Sequence, residues 1–182
     1  MPHITLPRST ACATHWRGWG SGVSLIGFAI DRLFPPPPPD FEHPELGRLE
    51  QDRHRPACYA GAVDWLDAQV TLILHGDRPT KGGLRNAAAH FLAMRARAPQ
   101  VRDAAADCAG EHLYDTWRNE WLGDREDTPL ALWKQRLRIE RIWVDPLGRV
   151  MIDFAFNQPF EGHHATVSGV APDRFSTAYL SI

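Results

Sequence analysis

The chain has 182 residues, with 20 lysines and arginines against 22 aspartates and glutamates and a formal net charge of −2. A near-neutral chain lacks the concentrated basic surface that non-specific nucleic-acid binding needs. No apolar run approaches the roughly 20 residues of a membrane span. The three cysteines, Cys12, Cys58 and Cys108, are widely spaced with no C-x-x-C pair, which argues against a disulfide framework or a thiolate metal site and fits a reducing cytoplasm.

Residues 1–40 read as an N-terminal extension and 41–182 as a single domain, long enough to bury a core without metal or disulfide staples. Val23 to Ile30 has the length of a signal-peptide core, but Asp31, Arg32 and a proline block follow it with no A-x-A-like site, so a cytoplasmic chain is expected. The same stretch is a candidate edge strand. Pro35 to Pro39 is expected to form a stiff polyproline II spacer. It lacks the arginine-anchored P-x-x-P pattern of an SH3-like ligand.

Within the domain, "ELGRLEQD" reads as a short strand. "ACYAGAVDWL" places Tyr59, Gly61, Val63 and Trp65 on one face, and "QVTLIL" does the same for Val70, Leu72 and Leu74. Asp67-Ala68 between them predicts a hairpin turn. "HGDRPTKGG" is a loop by composition. It holds the letters of a phosphate loop in the wrong order, Lys81 preceding Gly82.

A helix is expected over 83–98, with Leu84, Ala88, Phe91 and Leu92 on one face, and Pro99 separates it from a second over 101–122. In the second, Val101, Ala105, Ala109, Leu113, Trp117 and Trp121 recur every fourth residue as a buried stripe. Thr128 reads as the N-cap of a short third helix with Pro129 at its first position and an apolar face of Leu130, Trp133 and Leu137. A hairpin follows, turning at Asp145-Pro146-Leu147-Gly148 with the residue preferences of a type I turn. Val150, Ile152, Phe154 and Phe156 share one face of its second strand, and Met151, Asp153 and Ala155 the other. Ala165, Val167 and Gly169 alternate in the next strand and Phe175, Thr177 and Tyr179 in the last. Strands, then helices, then strands predict an α+β fold, an antiparallel β-sheet with about three α-helices packed on one face.

No catalytic signature is present: no G-x-S-x-G elbow, cysteine–histidine pair or G-x-G-x-x-G fingerprint. His163 and His164 are adjacent and point to opposite faces of a strand, so they do not readily share an ion. One is expected to be buried and hydrogen-bonded and the other solvated, with no metal and no cofactor. The alternative, a small hydrolase-like enzyme, would use Asp153, Glu161, His163 and His164. Trp117, Trp121, Trp133 and Trp143 are read as core.

Asp103, Asp107, Glu111 and Asp115 recur every fourth residue opposite the apolar stripe. They form one acidic ridge, relieved by Arg118 or by Arg95 and Arg97 if it is merely a solvated face. Its functional reading is a docking face for a basic protein partner, since charge complementarity speeds and specifies association.

"FEHPELGRL", "LYDTWRNEWL", "TPLALWKQRLRIERIWVDPLGRVMIDFAF" and "FEGHHATVSG" resemble the bacterial domain of unknown function 2262 family. Trp117, Asn119, Glu120 and Trp121 match its helix end, and Phe160, Gly162 and His163 its step before a final strand. The chain departs from the pattern in its extension, in the longer "DPLG" turn and in its end at Ile182. The resemblance extends to immunity-type domains of polymorphic toxin systems. It implies a non-enzymatic cytoplasmic protein that neutralises a cognate bacterial toxin by tight stoichiometric binding, the partner expected being a basic toxin domain. An adaptor or structural role is a further alternative.

Overall fold

Apolar residues at every second position build the central sheet. The computed structural model describes residues 40–76, 81–121, 127–155 and 164–181, all within the unit Pro38–Ile182. The expectations for the extension, the proline run, Phe156, Glu161 and His163 lie outside the described residues. The strands are β1 (Phe41–His43), β2 (Gly47–Gln51), β3 (Cys58–Trp65), β4 (Ala68–His75), β5 (Arg138–Val144), β6 (Arg149–Ala155), β7 (His164–Val170) and β8 (Arg174–Ser181). They form one eight-stranded sheet in sequence order. Helices α1 (Lys81–Arg95), α2 (Ala98–Thr116) and α3 (Leu130–Arg136) lie between β4 and β5, and α2 runs on into a π-helical turn, Trp117–Trp121.

This corrects the expected antiparallel α+β sheet with three helices on one face. The sheet is mixed and strand residues outnumber helical ones. β4 and β5 pair in parallel, because the intervening helical segment returns the chain to the end of the sheet where β4 began. The helices do not form one layer on the sheet either. α1 packs against β4 and β5 and α2 against β7 and β8, whereas the principal neighbour of α3 is α2.

The helix-facing side of the sheet is the core. Val63, Trp65, Val70, Leu72, Leu74, Ile142, Val144, Val150, Ile152, Phe154, Ala165 and Val167 are all buried there with Phe91 and Met94 of α1. Two bulges keep that face apolar. One falls between Ile139 and Arg141; the other lets Ser168 pair with Thr177 and Gly169 with Phe175, leaving Ser176 as an extra residue. An extra residue flips the phase of a strand. Ile139 therefore shares the core face with Ile142, and Phe175 shares it with Ala178 and Leu180. The expected alternation of Phe175, Thr177 and Tyr179 is broken at this point: Thr177 and Tyr179 are exposed.

Smaller corrections are local. The β3–β4 turn is Leu66-Asp67, since Trp65 pairs with Ala68, and Leu66 has a φ of 55°. Pro99 lies inside the first turn of α2, not between the helices, because an N-terminal N–H has no helical partner to lose. Pro129, not Thr128, caps α3. Thr128 is instead buried one residue earlier, where its carbonyl accepts from the Tyr114 hydroxyl at 2.7 Å and its Oγ1 from Arg136 at 3.4 Å. The β5–β6 turn follows expectation. Gly148 N donates to the Asp145 carbonyl at 3.0 Å, Gly148 has a φ of 77°, and Asp145 Oδ1 accepts from Leu147 N and Arg149 N at 2.9 Å each.

Candidate functional site

Helix α2 is held on two sides. Val101, Ala105, Ala109, Leu113 and Trp117 are buried as the stripe predicts, and Ala98, Ala106, Cys108 and Gly110 are buried beside them. The small side chains let β8, β7 and α3 approach closely. Aromatic packing locks the far end: Tyr114, Trp117 and Trp133 have ring centroids 5.7–6.1 Å apart. Trp117 and Trp133 are thus core, while Trp143 lies half-buried on the opposite face of the sheet with Arg55 5.3 Å over its ring.

Asp103, Asp107, Glu111 and Asp115 are all exposed on the remaining side of α2. The cations beside them are not the expected ones. Arg118 pairs with Asp127, Arg95 with Glu45 and Arg97 with Asp173. Arg102 meets Asp103 at 3.0 Å, and Lys134 of α3 meets Asp107 at 2.8 Å. Glu111 and Asp115 make no ion pair with a described residue. Arg102 does further work, donating to the carbonyls of Lys134 at 3.0 Å and Gln135 at 3.3 Å. These carbonyls lie in the last turn of α3, where the Lys134 oxygen also accepts from Leu137 N at 3.2 Å and a cation suits the helix dipole. Sequence reading missed Arg102 because its partners are 32 and 33 residues away.

Of the residues of the enzymatic alternative, Asp153 and His164 are described, and both fall on the face of the sheet opposite α1 and α2. Asp153 pairs across strands with Thr166 and Arg141. Its carboxylate is buried, accepting from Thr166 Oγ1 at 2.8 Å and facing Arg141 at 3.4 Å. His164 shares this face, its Nδ1 3.5 Å from Glu140 Oε2. His164 and Asp153 are offset diagonally rather than opposite each other, a separation of about 7–8 Å between backbones. Among the described residues no group of three His, Cys, Asp or Glu side chains could hold a metal ion, and no helix is long and apolar enough to cross a membrane. Cys58 and Cys108 are buried, and burial pushes both thiols above their ordinary range.

The architecture defines a class: a mixed eight-stranded sheet with its helices inserted between the fourth and fifth strands. Residues 43–180 match the family described as an uncharacterized protein conserved in bacteria (DUF2262), and the chain belongs to that family. No curated protein and no solved structure matches it.

Proposed function

We propose that this is a non-enzymatic binding protein of the immunity type, neutralising a cognate bacterial toxin in the cytoplasm by tight stoichiometric binding. The observation that carries the reading is the presentation of the ridge. Asp103, Asp107, Glu111 and Asp115 are exposed along a helix whose other sides are fixed by β7, β8 and α3. A charged row on a rigid helix loses little backbone freedom on binding, so more of its interaction energy remains as affinity. Its charge attracts a basic partner and raises the association rate.

Glu111 and Asp115 are the strongest candidates for direct contact, because no described cation competes for them. The test is capture of a basic protein from the native cell, followed by association kinetics at two ionic strengths. Wild type should associate faster at low salt, and the double variant Glu111→Lys/Asp115→Lys should lose that advantage. Equal low-salt rates for both proteins would remove the ridge as the docking face.

A further inference from the structure

A cleft of about 430 Å³ opens between the β3–β4 turn, Arg102 of α2 and the junction of α3 with β5. We infer that it binds a small organic monocarboxylate with an apolar body. The volume lies in the range of small-molecule sites, roughly 300–1,000 Å³. Its wall includes the apolar side chains of Leu66 and Ile139, and Trp65 lines it too.

Arg138 supplies the charge. It lines the cleft and is exposed, and its guanidinium makes no hydrogen bond or ion pair with a described residue. Its neighbours are all committed: Arg102 to Asp103 and the α3 carbonyls, Arg136 to Thr128, Arg141 to Asp153. A guanidinium without a protein carboxylate is a planar fork suited to a bidentate carboxylate ligand. Arg102, already paired with Asp103, lines the same wall.

Two further features belong to the cleft. Trp65 is 2% exposed, and its indole N–H finds no acceptor among the described residues, which a buried donor ordinarily has. Leu66 is half exposed with a φ of 55°, the positive value that its place in the two-residue β3–β4 turn requires, and it stands on the wall of the cleft. Asp67 sits beside them without a described cation. Its carboxylate repels a second ligand carboxylate, which selects a monocarboxylate over a dicarboxylate.

The experiment titrates the full chain with 4-methylpentanoate, 4-methylpentanamide and succinate, followed by saturation-transfer NMR. The acid should bind about tenfold or more tightly than the amide, the loss expected when a charge-assisted pair is removed. Arg138→Gln should weaken the acid by a similar factor with the thermal transition unchanged, since Arg138 is exposed. Leu66→Gly should weaken acid and amide together by removing the wall both share. Asp67→Asn should improve succinate alone. No transfer to 4-methylpentanoate at about 10 mM, equal binding of the amide, or indifference to Arg138→Gln would overturn the assignment.

Discussion

The Nζ of Lys134 on α3 stands 2.8 Å from Oδ1 of Asp107 on α2. Its stem reaches that position by crossing Gly110, where an added Cβ would lie 2.6 Å from Lys134 Cε. The ridge is therefore uneven. Its first two carboxylates are paired within the chain, to Arg102 and Lys134, while Glu111 and Asp115 are left to solvent or a partner.

This unevenness predicts opposite signs for similar charge reversals. Asp107→Lys breaks a half-exposed ion pair and places two ammonium groups together, so it should cost up to about 1 kcal/mol. Asp115→Lys removes a like-charge contact with Glu111 and creates a Glu-to-Lys pair four residues apart, which should stabilise by about 0.5–1 kcal/mol. Urea midpoints for the two variants decide the matter; shifts in the same direction would show that the ridge is electrostatically uniform.

Gly169 and Gly110 should respond differently to alanine. At Gly169 the new Cβ would collide with the Arg174 carbonyl oxygen and stand 2.6 Å from Phe175 Cα. Both obstacles are backbone of the bulged edge strand, so Gly169→Ala should cost about 3 kcal/mol or more. At Gly110 the nearest obstacle is the flexible end of Lys134, and alanine's helix preference of about 1 kcal/mol offsets its displacement. Thermal unfolding should show a large loss for the first and a change within about 1 kcal/mol for the second.

Asp153 has a structural role. Asp153→Ala removes the acceptor of the Thr166 hydroxyl and the counter-charge of Arg141. It should lower stability by about 1–3 kcal/mol, the cost of depriving a buried polar group of its partner. A variant with unchanged unfolding free energy would return Asp153 to the list of catalytic candidates.

Burial raises the thiol pKa of Cys58 and of Cys108. A group raised on folding contributes stability fully below its unfolded pKa, near 9.0, and loses it as pH rises through the folded value. Stability should therefore fall as pH is taken above that point. Near neutral pH, a Cys12→Ser variant should react with a thiol reagent far more slowly when folded than in urea. Rapid labelling of either remaining cysteine in the folded protein would contradict its burial.

Local signals determined much of this protein. Alternation in Val70, Leu72 and Leu74, the stripe of α2 from Val101 to Trp117 and the Asp145–Gly148 turn each depend on neighbours within a few residues, and the structure keeps all three, while the side chain of Trp121 lies outside the described residues. The acidic ridge was legible for the same reason, as four residues at one helical spacing. Tertiary structure decided what depends on distant partners. The parallel β4–β5 pairing follows from where the helical segment delivers the chain. The cations of the ridge were settled by the docking of α3 on α2, which brought Lys134 to Asp107 and Arg102 to the end of α3. Both bulges left a trace, apolar residues three apart at Ile139 and Ile142 and at Phe175 and Ala178. That spacing becomes readable only when the opposing strand fixes which face is core, because pairing, not the strand's own sequence, determines where an extra residue is absorbed.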